Sequence, residues 1–366
     1  MKRILVVLEA GDAWPSGLVR GVLYRDLFAQ SGFRVRYVSR LSAALARLQL
    51  GPNRVIAFLL RAGLMNVLGW LGRLVGSLRG VWITLIAGRY DVVYICKVSS
   101  DRFVRRLRRR TQARLVYDLN DAVWLPSWKR YAKGIGEILA SVDAVTCDSP
   151  HGAAFARQYN DRSFVVPDPS QVELFDRQRA QPRSHRGGIV LGWIGSPSSV
   201  CNLYAIWEPL ERLFAKHDDL HLRLVGVGYD RTLLPRFERV RWSQLPYYSR
   251  DQMISEVLGM DIGLYPLFDV EESLARGILK ATIYMSGGVA VVCSNVGQCR
   301  ELVADGVNGM LAGSGEEWLA KLERLVADGD LRRSVAQRGL DTVRQEYNLE
   351  RCFGRLLQAL TDGERQ

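Results

Sequence analysis

The sequence predicts an α/β protein made of two Rossmann-like domains in tandem. Three observations carry the prediction. Short apolar, β-branched runs alternate with helix-patterned segments through both halves of the 366 residues, the pattern of parallel βαβ units. A Pro-, Arg- and Gln-rich stretch of weak periodicity, residues 168–188, separates the two series and reads as a linker. Finally, "KATIYMSGGVAVVCSNVGQCRELVADGVNGMLA" (280–312) shows one whole unit: helix, glycine stop at Gly287-Gly288, strand "VAVVCS", and a loop opening a second helix. Its continuous apolar run is that of a strand buried on both faces. Backbone N–H groups and a helix N-terminus gather at such a strand's exit, so the stretch predicts an anion site for a phosphorylated donor.

Taken in order, the first half predicts strands at 4–8, 34–38, 92–95, 114–117, 144–146 and 164–166. These make an N-terminal domain over 1–167. The second series predicts strands at 189–194, 220–225, 240–242, 262–265 and 289–293 in a domain over 189–345. Amphipathic helices close the chain from 316 to 360, and the last segment, 346–366, is expected to pack back on the N-terminal domain. "MKRILVVLEAGD" turns acidic at Glu9 and Asp12, so it reads as a first buried strand and not as a signal peptide.

Two segments depart from this alternation. Residues 54–87 are strongly apolar but interrupted by Arg61, Arg73 and Arg79, too often for a membrane-spanning helix. A core-packed helical hairpin and a helix lying in a membrane interface are both open readings. In "DRFVRRLRRRTQAR" (101–114), an apolar stripe of Phe103, Val104 and Leu107 is surrounded by arginines, which reads as a solvated face or as a contact for anionic lipid. Residues 1–167 hold 26 lysines and arginines against 11 acidic residues, whereas residues 168–366 hold 24 against 27. The net charge of +12 therefore originates in the first half, which suggests an anionic partner for that domain. Nucleic acid is not expected, because no interleaved aromatics or nucleic-acid motif accompany the arginines. Six dispersed cysteines without CxxC pairs, and four histidines, argue for reduced thiols and against a zinc site.

Several blocks then match a known pattern. "IVLGWIGSPSSVCNLYAIWEPLERL" (189–213), "DIGLYPLFD" (261–269) and the 280–312 stretch are the strongest. "VVYICKV" (92–98), "VYDLNDAVW" (116–124), "DAVTCDSPHGAAFARQY" (143–159) and "VVPDPSQVELF" (165–175) are weaker. In this order and spacing the chain resembles the retaining GT-B glycosyltransferases of family 4, almost end to end. The resemblance implies a GT-B fold, two Rossmann-like domains facing a central cleft. It also implies a nucleoside diphosphate sugar as donor, transfer on one face of the sugar, and no cofactor.

On the donor side, Gly192, Gly195 and Ser196 of "GWIGSP" are expected to let backbone amides approach a diphosphate. Lys280 is the candidate cation for the leaving diphosphate. Gly297, Gln298 and Cys299 open a helix toward the donor. The resemblance places the base near "RWSQLPYYSRDQ", with Trp242 or Tyr248 to stack on it. On the acceptor side, Gly17 lies where the family presents glycines near donor phosphate and acceptor, and Arg20 is a candidate for steering an anion. Asn120 and Asp121 exit a strand; Asp121 reads as an acceptor-orienting carboxylate or as a helix N-cap. Lys97 exits the neighbouring strand. No DxD-like acidic motif is evident, so no metal is expected.

The chain also departs from the family. Many members carry a Glu-x7-Glu pattern, and in the "YM-small-x-G" register its positions fall at Ala275 and Ile283. Asp269, Glu271 and Glu272 lie slightly upstream as substitutes. A basic pair usual after the glycine turn is replaced by Ser198 and Ser199. The leading reading is a retaining glycosyltransferase acting on a hydroxyl of an envelope polysaccharide, a lipid-linked intermediate or a secondary metabolite. It is expected in the cytoplasm, peripheral at the inner face of the membrane. The alternatives are a GT-B sugar-nucleotide epimerase and a catalytically degenerate nucleotide-sugar-binding protein.

Overall fold

The computed structural model describes residues 1–11, 15–41, 65–98, 100–128, 134–179 and 188–361. The chain forms two compact units: Met1–Asp168 with Ala275–Gly277 and Leu349–Gln366, and Pro169–Leu274 with Ile278–Asn348.

The first unit is a parallel six-stranded sheet of β1 (Arg3–Leu8), β2 (Arg34–Ser39), β3 (Val92–Cys96), β4 (Arg114–Leu119), β5 (Ala144–Cys147) and β6 (Ser163–Val165), in the order β2-β1-β3-β4-β5-β6. Side chains alternate across it, as strand geometry requires. Ile4, Val6 and Leu8 face Tyr24, Phe28 and the final helix, Leu349–Thr361. Leu5 and Val7 face Ile83, Ile86 and the Phe103–Val104–Leu107 stripe. Phe353 of the final helix meets Phe28 edge-on, with centroids 4.9 Å apart. The apolar segment yields one helix, Met65–Ala87, packed by one face on this sheet, with Gly80 against Phe103. The rest of the expected hairpin, 54–64, lies outside the described residues. Among the described residues, no helix is long and apolar enough to cross a membrane.

Beneath the C-terminal edge of this sheet lies a charged core. Arg20 is buried, and its Nη2 donates to Asp118 Oδ1 at 2.7 Å while Nε bonds both oxygens at 3.2 Å. Its Nη1 donates to the Val166 carbonyl and to Asp168 Oδ1. Thr146 Oγ1 donates to Asp118 as well, at 2.7 Å. Arg20 is therefore not the anion-steering group expected from sequence: its fork is engaged by carboxylates and a carbonyl away from solvent.

Asp148 sits beside this network. A Cβ added at Gly277 would lie 3.0 Å from Asp168 Oδ2 and 3.1 Å from Asp148 Oδ2, so the two carboxylates converge on that glycine. Burial above all, then the charges of Asp168 and Asp121, push the Asp148 carboxyl well above the usual range, with Arg20 opposing. Asp168 is raised by the same burial and offset first by Arg20. A carboxyl with a folded pKa above its unfolded value binds more protons when folded. Stability is then lost as pH rises from the ordinary aspartate range through the folded pKa. Asp148→Asn should accordingly raise the melting temperature at pH 8 more than at pH 4. A gain that does not change across that range would refute the protonated Asp148.

The second unit is a parallel sheet of β7 (Ile189–Ile194), β8 (Leu220–Val225), β9 (Trp242–Leu245), β10 (Ile262–Tyr265), β11 (Ala290–Ser294) and β12 (Met310–Ala312), in the order β12-β11-β10-β7-β8-β9. Two strands differ from expectation. β9 pairs from Trp242 onward, not over 240–242, because its ladder to β8 begins at Leu222. β12 was not foreseen: three residues are too few to show a period, and pairing with β11 defines them. The linker reading also needs correction. Val172–Arg179 is a helix, with Val172 and Phe175 buried beside Ile254, Val257 and Tyr284. Residues 180–187 lie outside the described residues.

Strand order reverses between β7 and β10, where open α/β sheets bind ligands. The strands pair there only through Leu191–Ile262 and Gly192–Gly263, then part. The Tyr284 hydroxyl fills the opening: it accepts from Ile194 N–H at 2.7 Å and donates to the Leu264 carbonyl at 3.2 Å. The Tyr284 ring occupies the space of a side chain at Gly263, where a Cβ would lie 2.4 Å away.

Candidate functional site

Four segments meet at the C-terminal edge of the second sheet. They are the turn after β7, the residues after β10, the helix Leu279–Ser286 and the loop after β11. Gly195, the first residue of the turn, donates to the Val225 carbonyl at 2.9 Å. Gly226 takes a left-handed φ of 86°, and a Cβ there would sit 2.1 Å from the Gly195 carbonyl oxygen. Only glycine permits this approach. Tyr248 adds a hydroxyl bond to the same carbonyl at 3.2 Å.

Ser199 organises the turn. Its Oγ donates to the Ser196 carbonyl at 2.9 Å, accepts from Ser196 N–H at 3.1 Å, and accepts from Lys280 Nζ at 3.1 Å. One hydroxyl thereby uses its donor and both acceptor positions. The Lys280 ammonium is also held above aromatic faces, 4.9 Å from the Trp193 centroid and 5.9 Å from that of Tyr265, a favourable arrangement for a cation. The position read as a lost basic residue thus tethers the lysine. The sequence reading took Ser199 only as a loss and passed over Trp193 and Tyr265; the signal available was only that Ser199 stands at N3 of a turn begun by Ser196.

The structure corrects the role expected of the turn. The N–H groups of Gly195 and Ser196 are both consumed internally, and Pro197 has none. Gly192 lies inside β7, where a Cβ would meet Met260 Sδ at 2.0 Å, so its smallness serves packing. Trp242 stands at the start of β9, level with Leu222 and Leu191, and packs against Phe237. It is not brought to the strand exits, whereas Tyr248 is.

The loop after β11 behaves differently. Ser294 Oγ accepts from Leu267 N–H at 2.8 Å, joining this loop to the exit of β10. Gly297 has φ 52°, and a Cβ there would be 3.0 Å from the Ser273 carbonyl oxygen, pressing the loop against the helix Glu271–Leu274 that carries half-buried Glu272. Gln298 is 5 % exposed, and its Oε1 has no partner. Cys299 is buried at the start of the short helix that follows. Ile283, at the expected glutamate position, is buried in the core with Tyr284 and Met285.

In the first unit, the exits of β3 and β4 carry Lys97 and Asp121, both in left-handed conformation at φ 49° and 61°. Strained non-glycine residues are uncommon and cluster at functional sites. The two side chains form an ion pair, and the Lys97 ammonium lies 5.1 Å from the Trp128 centroid. Asp121 caps no helix; turns follow it. Asn120 beside it is buried. Gly17 lies within the helix Pro15–Arg20, where a Cβ would be 2.0 Å from the Gly11 carbonyl oxygen. Among the described residues, no group of three or more His, Cys, Asp or Glu is placed to hold a metal ion.

Residues 188–328 match the family described as glycosyl transferases group 1. Among curated proteins, no sequence relative matches the chain. Similar solved structures include HepE from Anabaena in complex with UDP and glucose, at TM-score 0.68 and 16 % identity over 99 % of this chain and 100 % of that one. A sucrose-phosphate synthase from Thermosynechococcus elongatus matches at TM-score 0.64 and 16 % identity over 98 % and 99 %. A UDP-forming α,α-trehalose-phosphate synthase from Burkholderia vietnamiensis matches at 0.66 and 11 % over 99 % and 97 %. The matched segment is similar to the glycosyl transferases group 1 family, and the fold is the α/β architecture shared with these solved structures. The match falls almost entirely within the second unit.

Proposed function

We propose that this chain transfers a sugar, with retention of configuration, from a nucleoside diphosphate donor to a hydroxyl acceptor. The observation that carries the reading is Lys280, tied by Ser199 to the glycine turn and set over Trp193 at the switch point of a group 1 domain. An ammonium held there meets the charge that grows on a departing diphosphate, in the manner of a preorganised electrostatic site. Because the turn's first amides are already bonded, Lys280 is given the main share of that charge, and no divalent metal is called for. Gly297, Gln298, Cys299 and Glu272 are assigned to the donor sugar, Gln298 through its unbonded, buried Oε1. Tyr248 is assigned to the base side. Asp121, Asn120 and Lys97 are assigned to the acceptor hydroxyl. That acceptor is a hydroxyl of an envelope polysaccharide, a lipid-linked intermediate or a secondary metabolite, met from the cytoplasm at the inner face of the membrane.

A melting-temperature screen against UDP-, GDP-, ADP- and TDP-sugars tests the donor class. A ligand at 100 times its Kd adds about 2.7 kcal/mol of stability. UDP-sugars are expected to give the largest shift, since the similar HepE was solved with UDP and with UDP-glucose. No shift with any of the four would refute the donor assignment.

A further inference from the structure

The helix Met65–Ala87 presents an unusual outward face. Leu74, Leu78, Val81, Trp82 and Leu85 are all exposed, Leu85 at 69 % and Leu78 at 63 %. At about 100° per residue these five fall within an arc of about 100°, opposite buried Gly80, Ile83 and Ala87. The helix is thus apolar on both its buried and its exposed sides. A contiguous apolar ridge of this kind marks an interaction surface.

Arginines border the ridge. On one side, Arg36 of β2 sets its guanidinium 5.3 Å from the Trp82 centroid. On the other, the helix Asp101–Arg110 packs beside Gly76, Ser77 and Gly80, and with them Arg102 and Arg106 line a shallow pocket. Arg105 and Arg108 of that helix are engaged by acidic side chains. Arg102, Arg106, Arg109 and Arg110 are exposed and have no ion-pair partner among the described residues.

We propose that this face docks on an anionic lipid surface, the leucines and Trp82 entering the headgroup–acyl boundary and the arginines resting on lipid phosphates. An apolar face bordered by cations is the pattern of an interfacial helix, and each arginine near an anionic leaflet adds to the attraction. A second copy of the chain is a poorer occupant, because a two-fold contact through the ridge would bring the same arginine borders together. The proposal goes beyond the donor reading and does not depend on it.

The test is flotation of the full chain with vesicles of phosphatidylcholine alone or mixed with phosphatidylglycerol. The intact chain is expected to float with the mixed vesicles and to be released by salt. Leu78→Glu with Leu85→Glu, and separately Arg102→Gln with Arg106→Gln, should each lower the bound fraction about tenfold or more. Both substituted pairs are exposed, so an unchanged melting transition and donor-induced shift will verify the fold. Equal flotation of variants and parent, failure of the parent to float, or a dimer that the glutamates dissociate without any flotation would each overturn the proposal.

Discussion

Lys280→Met should lower turnover of a nucleoside diphosphate sugar by about 10²–10³-fold, with little change in melting temperature. The magnitude is that of removing one preorganised group from a site of developing negative charge, about 3–4 kcal/mol. Methionine keeps an unbranched chain over Trp193 and Tyr265 and removes the ammonium. The hydroxyl of Ser199 keeps its two bonds to Ser196, so the turn should stand. Loss of rate should appear in kcat as well as in kcat/KM, because the charge being met grows in the transition state. Lys280→Arg is expected to restore only part of the rate: the planar fork carries the charge but does not reproduce a point donor seated between Ser199 and an indole face. Slow donor hydrolysis without acceptor provides the readout while the acceptor is being sought. A parent that binds donor and never turns it over would favour the degenerate binder. Unchanged kcat in the methionine variant would remove Lys280 from the mechanism.

Arg20→Met should destabilise the first unit by about 3–5 kcal/mol, the cost of breaking a buried ion pair from one side. The substitution leaves Asp118 with Thr146 as its hydroxyl partner and no cation, and removes the donor to the Val166 carbonyl. At about 2–4 °C per kcal/mol for a unit of this size, the transition should fall by roughly 10 °C. Pairing the change with Asp118→Leu should recover part of the loss, since replacing both partners removes the uncompensated charge. Anion binding should be unaffected in any folded fraction. A stable Arg20→Met protein with weakened donor or acceptor binding would reinstate Arg20 as an anion-steering residue.

These expectations separate two kinds of residue that look alike in sequence. Arg20 and Arg102 are both arginines in apolar surroundings, yet one is sealed against Asp118 and the other faces outward. Their partners lie too far along the chain for local pattern to assign: Arg20 meets Asp118 across 98 positions and Lys280 meets Ser199 across 81. The same limit explains Trp242. The predicted strand 240–242 ends at Trp242 and would leave it at a strand exit, but the ladder to β8 begins there and places it at the opposite end. Val172 and Phe175 were hidden in a polar stretch because two apolar residues at helical spacing do not make a period.

Sequence alone determined the class of the fold, most of the strands and the lysine that opens the helix Leu279–Ser286. Those are written in local terms: continuous β-branched runs, glycine stops and a basic residue opening a helix. Tertiary structure decided which turn amides are already spent, that Ser199 tethers the cation, that Tyr284 bridges the parting strands, and which arginines carry unpaired charge at the surface. The physical reason is common to all four. A polar group's role is set by what lies within about 3 Å of it, and in these units that neighbour comes from a distant part of the chain.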